Sequence, residues 1–472
     1  MEMEMEQTTL VLLPAPLMGH IFATLEFGVR LLNLRRNICI HVLLITMPTL
    51  PPDDSHIQTL IAAQPRLKVS KLPMVEQPNN SHKSGLIRFC DGVASHSNHV
   101  RNSISEIVAA SADHGFRVAG VLMDLLILSM VPVVNEFSLS PYVLLTGSAG
   151  FLRFLQFLAA SHGEGCSPYN FSDPDCNVPG FRNPVPVNVL PFFCLHNEED
   201  LTLMINLSRS LNHVKGLIVN TFEELDEFPL NSPSGGISPT EWAVGPVINF
   251  HGFPTSSEED SKMGRVMEWL EEQPDASVVF ICLGSRGGGG LITASQVEEI
   301  AKGLEQSKQR FLWQMKIPMK DGKTAEHALP EGFKERTNGR GMIYAGWVKQ
   351  VDVLGHRAIG GFVSHCGWNS TLESIWYGVP MATLPISGEQ QLNAFTLVKE
   401  MGMAVELKME YRPGFCHVSA NEVERAVVEV MDKESEVRKK VTQMSIAARK
   451  AVSKGGSSSC SLAQFADSLN VF

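Results

Sequence analysis

Short apolar runs alternate along the chain with longer segments in which apolar residues recur at helical spacing. The short runs are rich in aliphatic and β-branched residues and are bounded by Gly or Pro, as buried strands are. Repeated strand–helix units of this kind predict a parallel sheet. In the first half of the chain the predicted strands are 8–13, 38–45, 67–71, 118–123, 142–145 and 216–222, and the clearest helices are 20–32 and 103–113.

The periodic pattern stops over 249–262, where Gly, Pro, Ser and acidic residues replace it, as is typical of a linker. A second series of units follows. Its predicted strands are 278–283, 311–314, 342–345, 361–364 and 381–384, and its clearest helices are 294–306, 370–377 and 390–401. A chain of 472 residues also exceeds what one core usually serves. We predict α/β domains at 1–245 and 263–455, joined by a linker over 246–262, with the ligand site between them.

Charge, cysteine content and the apolar stretches exclude several classes of protein. The net charge of -11 and the lack of a Lys/Arg cluster argue against a nucleic-acid partner. The nine cysteines are irregularly spaced, which fits neither a disulfide framework nor a zinc site. The acidic N-terminus is unlike a secretory signal, and Asp124 and Arg153 interrupt the most apolar stretches. We therefore expect a cytoplasmic protein without stable membrane insertion.

The segment 347–390 holds the most informative chemistry. Its core reads Phe362-Val-Ser-His-Cys-Gly-Trp-Asn-Ser-Thr-Leu-Glu373. This pattern predicts a buried strand, a Gly turn and a helix that opens at Asn369 and Ser370. A helix start offers free N–H groups and a positive dipole end, which suit a diphosphate, and His365 adds a donor or a charge. Ser370 and Glu373 also match a capping box, so these residues alone leave a purely structural interpretation open.

A second candidate site lies in the first predicted domain. His20 follows the first strand, and Asp124 and Thr146 lie at the ends of two later strands. Ligands of parallel sheets bind at the carboxyl ends of strands. An imidazole with an ordinary pKa of about 6.5 can deprotonate a hydroxyl, and a carboxylate partner stabilises its charged form. A lone His or Asp at such turns often has only a structural role, so that alternative also stays open.

No metal site is predicted. The one Asp-x-Asp, at Asp173 and Asp175, lies in a Ser-, Asn- and Pro-rich loop and is assigned to turn chemistry. His96 and His99 have ligand-like spacing with Cys90 nearby, but the sequence shows no fourth ligand, and we predict a surface position for the two histidines.

The segment 347–390 resembles the signature box of plant secondary-product UDP-glycosyltransferases. Matching positions are Trp347, Gln350, Leu354, His356, 361–362, 364–370, Glu373, 378–380, Pro385 and 389–390. The resemblance covers essentially the whole chain and includes the stretch 269–285. It implies a GT-B fold, in which two Rossmann-like domains with parallel sheets face each other across a cleft. It also implies a C-terminal helix within 456–472 that packs back on the N-terminal domain.

The resemblance also assigns roles in binding a UDP-sugar. The uracil and ribose contacts are Trp347 by stacking, the backbone of Val348, Gln350 and Glu373. The diphosphate contacts are Ser285, His365, Gly367, Asn369 and Ser370. The sugar contacts are Thr146, Trp368, Glu389 and Gln390. A Gln at the last position is typical of glucose users, whereas Leu384 and the pair 387–388 depart from the family's usual bulky residues near the sugar.

The implied reaction is inverting transfer of a sugar, with glucose expected, to a hydroxyl of a flavonoid, other phenolic or terpenoid. His20 would act as the base and Asp124 as its partner, with no metal and no cofactor beyond the UDP-sugar co-substrate. Apolar segments at 125–130, 151–158 and 190–193 are expected to line the acceptor pocket of a monomer. The alternatives are a nucleotide-sugar hydrolase or epimerase, which would have a polar pocket, and a non-catalytic binding protein.

Overall fold

The computed structural model describes residues 7–47, 54–76, 81–163, 167–195, 197–233, 239–250, 257–284, 292–315, 325–410 and 417–469. The chain divides into two compact units. The first comprises Met1–Pro168, His196–Asn249 and Lys450–Phe472, and the second comprises Tyr169–Leu195 and Phe250–Arg449. Two segments, 169–195 and 450–472, therefore belong to a different unit from the residues that adjoin them in sequence.

The strands agree closely with those predicted from the sequence. They are β1 (Thr8–Leu13), β2 (Ile38–Leu44), β3 (Leu67–Lys71), β4 (Arg117–Asp124), β5 (Ser140–Leu145), β6 (Gly216–Val219), β7 (Thr240–Ala243), β8 (Val278–Cys282), β9 (Arg310–Gln314), β10 (Gly341–Tyr344), β11 (Ile359–Ser364), β12 (Met381–Thr383) and β13 (Ala404–Glu406). Every predicted strand is present. The sequence does not predict β7 or β13, because each is short and carries a glutamate, so neither reads as an apolar run.

Helices connect these strands throughout. They are α1 (Met18–Leu34), α2 (Asp54–Ala63), α3 (Gly85–Ala94), α4 (Ser97–His114), α5 (Val131–Glu136), α6 (Ala149–Ser161), α7 (Glu198–Ser210), α8 (Glu223–Leu230), α9 (Ser257–Glu271), α10 (Ala294–Gln306), α11 (Phe333–Arg336), α12 (Gln350–Leu354), α13 (Trp368–Tyr377), α14 (Gln390–Phe395), α15 (Ala420–Met431), α16 (Glu436–Val452) and α17 (Ser457–Ser468). The predicted helix 390–401 is α14 followed by one π-helical turn, Thr396–Glu400.

The first unit is built on a seven-stranded sheet in the order β3-β2-β1-β4-β5-β6-β7. Each neighbouring pair is parallel. The order reverses between β1 and β4, and in doubly wound sheets ligands bind beside the carboxyl ends of the strands at this reversal. The fold therefore marks the ends of β1 and β4 as a binding position.

Helix α17 returns to the first unit and closes its core. Phe465 is fully buried and its ring lies 5.8 Å from Phe27, 5.4 Å from Tyr142 and 5.3 Å from Trp242, measured between centroids. Burial of one large aromatic side chain contributes about 2–3 kcal/mol. The last helix is thus an integral part of the first unit.

The apolar stretch 141–160 is a buried part of this unit. It forms β5 and α6, and the side chain of Arg153 is 3% exposed. Its guanidinium donates to both carboxylate oxygens of Glu241 at 2.7 and 2.8 Å. Within the ranges described above, no helix has the length and apolar character to cross a membrane.

The second unit is built on a six-stranded sheet in the order β10-β9-β8-β11-β12-β13. All of its described pairs are parallel. A buried cluster on α10, α15 and the strands, including Phe311, Trp313 and Val427, forms its core. The two parallel α/β units constitute a GT-B fold, as predicted.

The segment 169–195 corrects the predicted domain boundary, which placed all of 1–245 in one domain. It belongs to the second unit. The sequence offers no sign of this excursion, because the segment lacks helical or strand periodicity and its packing partners lie about 200 residues further along the chain.

Candidate active site

Three polar side chains meet at the carboxyl edge of the first sheet. His20 lies in the first turn of α1, Asp124 ends β4, and Thr146 follows β5. Since β1, β4 and β5 are neighbours, these ends lie side by side. His20 Nδ1 is 2.7 Å from Asp124 Oδ2 and 3.1 Å from Thr146 Oγ1. The structure therefore places Thr146 beside the imidazole, whereas its predicted contact with the donor sugar stays a prediction.

Asp124 is held as a hydrogen-bond acceptor. Its side chain is 1% exposed, Oδ1 accepts from the Leu126 N–H at 2.9 Å, and Oδ2 faces His20. A carboxylate opposite Nδ1 favours the tautomer with its proton on Nδ1, which leaves the lone pair on Nε2. The His20 side chain is 29% exposed, so the imidazole is accessible while its partner is not. This geometry suits a general base.

In the second unit, Gln350 connects the starts of α12 and α13. Its Nε2 donates to Ser370 Oγ at 2.9 Å and to Glu373 Oε2 at 2.6 Å. The pKa of Glu373 is raised to about 7, because burial raises it more than the hydrogen bond from Gln350 lowers it. Among the residues that the structure describes, no cation pairs with this carboxyl group, which is a strong acceptor for hydroxyl groups when ionised.

The capping-box interpretation of this helix start is wrong. Helix α13 begins at Trp368, one residue before the predicted start, and Gly367 is its N-cap with no side-chain cap. Ser370 therefore lies inside the first turn, where its hydroxyl accepts from Gln350. No side-chain cap covers this helix start, and the positive end of its dipole suits an anion.

His365 lies between two glycines. A Cβ atom at Gly284 would lie 2.7 Å from His365 Nε2, and one at Gly367 would lie 2.5 Å from it. Burial lowers the pKa of His365 to about 4, so the ring is neutral at pH 7 and offers a donor rather than the charge considered from the sequence. Among the residues that the structure describes, Nδ1 is buried without a hydrogen-bond partner. The next residue, Cys366, has a left-handed φ of 62°.

The other residues predicted to bind the UDP-sugar lie in the second unit, and one of them lies outside the described residues. Val348 and Trp368 are buried at 5% and 2% exposure, and Trp347 is half-buried. The side-chain oxygen of Gln390 accepts from the backbone N–H of Ile386 and Ser387, at 2.9 and 3.0 Å, so its amide group points away from that loop. Ser285 lies outside the described residues, Asn369 is the second residue of α13, and Glu389 is the N-cap of α14.

Sequence reasoning missed two residues that shape this site. Asn393 is 1% exposed, and its Nδ2 donates to Cys366 O at 3.0 Å and lies 3.5 Å from Glu389 Oε1. It therefore links the turn after His365 to the start of α14. Gly284 is the other, because it makes room for the imidazole of His365. The spacing of Gly284 from the box gives no signal, since their contact is set by the pairing of β8 with β11.

Two further predictions can be compared with the structure. His96 is fully buried and its Nδ1 bonds to Gly92 O at 2.9 Å, so the predicted surface position is wrong for this residue. The turn assignment for Asp173 is confirmed, because its Oδ2 accepts from the Asn170 N–H at 2.8 Å. Within the described ranges, no cluster of three His, Cys, Asp or Glu residues has the arrangement of a metal site.

The segments expected to line the acceptor pocket are largely core. The apolar residues of 125–130 and 151–158 with low exposure are Leu125, Ile127, Leu128, Met130, Phe151, Leu152, Phe154, Leu155 and Leu158. The third segment, 190–193, lies in the second unit. Packing alone thus accounts for much of this apolar character.

Residues 246–450 match the profile of the family described as UDP-glucoronosyl and UDP-glucosyl transferase. The chain is 41% identical to UDP-glycosyltransferase 71K1 of Malus domestica, and 39% identical to flavonol 3-O-glucosyltransferase UGT71C4 of Arabidopsis thaliana. The first alignment covers 98% of both chains, and the second covers 98% of this chain and 97% of the other. The crystal structure of Medicago truncatula UGT71G1 complexed with UDP-glucose is similar, with a TM-score of 0.91 and 38% identity over 98% of this chain and 99% of that one.

Proposed function

Because the chain belongs to the plant UDP-glycosyltransferases, we propose that it transfers glucose from UDP-glucose to a hydroxyl of a flavonoid or a similar small lipophilic acceptor, with inversion. Two similar proteins support the substrates: one is named as a flavonol 3-O-glucosyltransferase, and one was crystallised with UDP-glucose. The observation that carries the chemistry is the 2.7 Å contact between His20 and the buried Asp124.

In the proposed step, His20 Nε2 takes the proton of the acceptor hydroxyl. The acceptor oxygen then forms a bond to the anomeric carbon from the face opposite the diphosphate, and the bond from that carbon to the phosphate oxygen breaks. Inversion follows from this single displacement. Asp124 stabilises the imidazolium that forms, because its carboxylate is fixed opposite Nδ1 and shielded from water.

The donor would bind along the carboxyl edge of the second sheet. Glu373 would accept from the ribose hydroxyls, and so would the side-chain oxygen of Gln350, because its Nε2 already donates to Ser370 and Glu373. Trp347 would supply a ring for the uracil. The N-cap of α13, Gly367, provides no side-chain cap, and the positive end of the helix dipole would face the diphosphate there. This dipole would stabilise the negative charge that grows on the departing UDP, so this scheme calls for no metal ion.

The sugar end of the donor is assigned to Glu389 and Gln390. Because the oxygen of Gln390 is occupied by the loop before it, its amide group would present N–H donors to the sugar hydroxyls. Glu389 complements it as an acceptor. We also propose that the protein acts as a monomer in the cytoplasm; the seven described cysteines form no disulfide, which suits that compartment.

The test is to incubate the protein with UDP-glucose and a panel of flavonoid, simple phenolic and triterpenoid acceptors, and to follow products by mass. A hexose added to an acceptor by the wild type and not by His20→Ala supports the proposal. UDP affinity of His20→Ala, measured by calorimetry, should stay within about twofold of the wild type. Release of UDP without an acceptor product would instead favour the hydrolase alternative.

A further inference from the structure

The segment 169–195 forms a strap on the second unit. Its only regular structure is a pair of 3-10 turns, Val187–Val189 and Phe192–Cys194, and an isolated bridge between Cys176 and Val185. It is nevertheless well packed. Its apolar side chains with at most 3% exposure are Val178, Val185, Val187, Val189 and Leu190. An irregular segment that buries this much apolar surface has a fixed position on the unit that it covers.

The strap contacts the turn that precedes the proposed sugar-binding residues. The Phe192 N–H donates to Gly388 O at 3.1 Å. Gly388 has a left-handed φ of 65°, and a Cβ atom built on it would meet no atom within 4 Å. Gln390 Oε1 holds the N–H groups of Ile386 and Ser387, but no side-chain packing restrains Gly388 itself, and glycine restricts its backbone least of all residues. The hydrogen bond from the strap fixes the peptide that leads directly into Glu389.

A second contact holds the other end of the same segment. Glu400 ends the π-helical turn that follows α14. Its carboxylate accepts from the backbone N–H groups of Arg182 and Asn183 at 2.8 and 3.0 Å, and from Asn183 Nδ2 at 2.8 Å. Between the two ends, the rings of Phe181 and Phe395 lie 6.3 Å apart. The strap thus holds 388–400 at its start, middle and end.

We propose that the strap is a positioning element for Glu389 and Gln390, and that it determines how strictly the donor site selects one sugar. This inference rests on the proposed function, in which those two side chains bind the sugar hydroxyls. Residues 387–388 are smaller than is usual in this part of the family's signature box. In this chain the strap therefore restrains the backbone before Glu389, as bulky side chains at 387–388 would otherwise do.

A matched pair of variants isolates the hydrogen bond to Gly388. Phe192 follows Pro191, which has a ψ of 148°, and it is the first residue of its 3-10 turn. Proline suits both conditions, so Phe192→Pro removes the N–H with little backbone strain. Phe192→Ala loses the same ring and keeps the N–H. A second pair is Glu400→Gln, which weakens the anchor, and Glu406→Gln, which removes an equally charged group that pairs with Lys399 at 3.1 Å and not with the strap.

The readout is the ratio of the affinities for UDP-glucose and UDP-galactose, measured by calorimetry without acceptor, with UDP alone as the reference. Phe192→Pro and Glu400→Gln should each bring the ratio about fivefold closer to one while UDP affinity changes less than about twofold. Phe192→Ala and Glu406→Gln should keep the wild-type ratio. An unchanged ratio in Phe192→Pro and Glu400→Gln, or a parallel loss of UDP affinity, overturns the proposal.

This readout separates the strap from the proposed reaction. Because no acceptor is present, a wild type that glucosylates no flavonoid overturns the proposed function and leaves the affinity ratio measurable. A wild type that prefers UDP-galactose overturns the proposed donor, and a ratio that moves towards one in the two strap variants then still supports the positioning role.

Discussion

Replacing Asp124 with Asn tests the step on which the proposed mechanism depends. The side chain keeps its size, and its oxygen can still accept from the Leu126 N–H that it now caps. The amide NH2 would face His20 Nδ1, which forces the ring proton to Nε2 and removes the lone pair that the base needs. The charge that stabilises the imidazolium is lost as well.

The size of the effect follows from the geometry. With Nδ1 and Oδ2 2.7 Å apart, the centres of the two charged groups are about 4 Å apart, and they attract by about 4 kcal/mol at an effective dielectric constant of about 20. Each 1.4 kcal/mol of that attraction is about tenfold in rate. Partial exposure of His20 to water weakens this attraction, so its loss slows the reaction less. The wrong tautomer slows the reaction further. We expect kcat/KM to fall about 10³-fold.

The assay is the initial rate of glucosylation of a flavonol at saturating UDP-glucose, with UDP affinity measured by calorimetry. Asp226→Asn is the control, because Asp226 is also a fully buried aspartate that accepts from a backbone N–H, that of Ala149. It should keep kcat/KM within about threefold. Retention of more than about a tenth of wild-type kcat/KM by Asp124→Asn, or a matching loss of UDP affinity, would refute the reasoning.

Three further substitutions test other parts of the structure. Since burial raises the pKa of Glu373 to about 7, its ionised fraction rises from about a tenth at pH 6 to about nine tenths at pH 8. The affinity of the wild type for UDP-glucose should therefore rise up to about tenfold over that interval. The affinity of Glu373→Gln should not change with pH. Asn393→Leu leaves the Cys366 carbonyl unpaired and should raise the KM for UDP-glucose about fivefold with the acceptor KM unchanged; equal changes in both would argue against positioning. Glu241→Gln breaks the ion pair with the buried guanidinium and should lower the free energy of unfolding in urea by about 3–5 kcal/mol, whereas a loss below about 1 kcal/mol would contradict that pairing.

The fold and the first half of the site could be predicted because their signals are local. Strands such as β1 and β8 are short apolar runs between Gly or Pro, and their ends are visible in the sequence within a few residues. Asp124 ends β4, and His20 lies in the first turn of the helix that follows β1. Because these strands are neighbours in the parallel sheet, the two side chains come together. Glu373 and Gln350 carry no comparable local signal, and their roles came from resemblance to a family.

The features that sequence reasoning missed depend on contacts between distant residues. Asn393 is one polar residue in a short helix, and only the fold places it against Cys366. His96 looks like a surface residue in a polar stretch, but the corner between α3 and α4 buries it. The strap has no periodicity to read, and its docking depends on Glu400, more than 200 residues away. Such contacts are properties of packing rather than of pattern.

The return of α17 to the first unit has a consequence for synthesis. A ribosome delivers the chain from its N-terminus, and domains generally fold as units when their residues become available. The second unit needs nothing beyond Arg449, whereas the first unit needs Phe465 to fill the space beside Phe27, Tyr142 and Trp242. The half of the protein that is made first is therefore completed last, and its exposed core must be protected until the final helix has emerged.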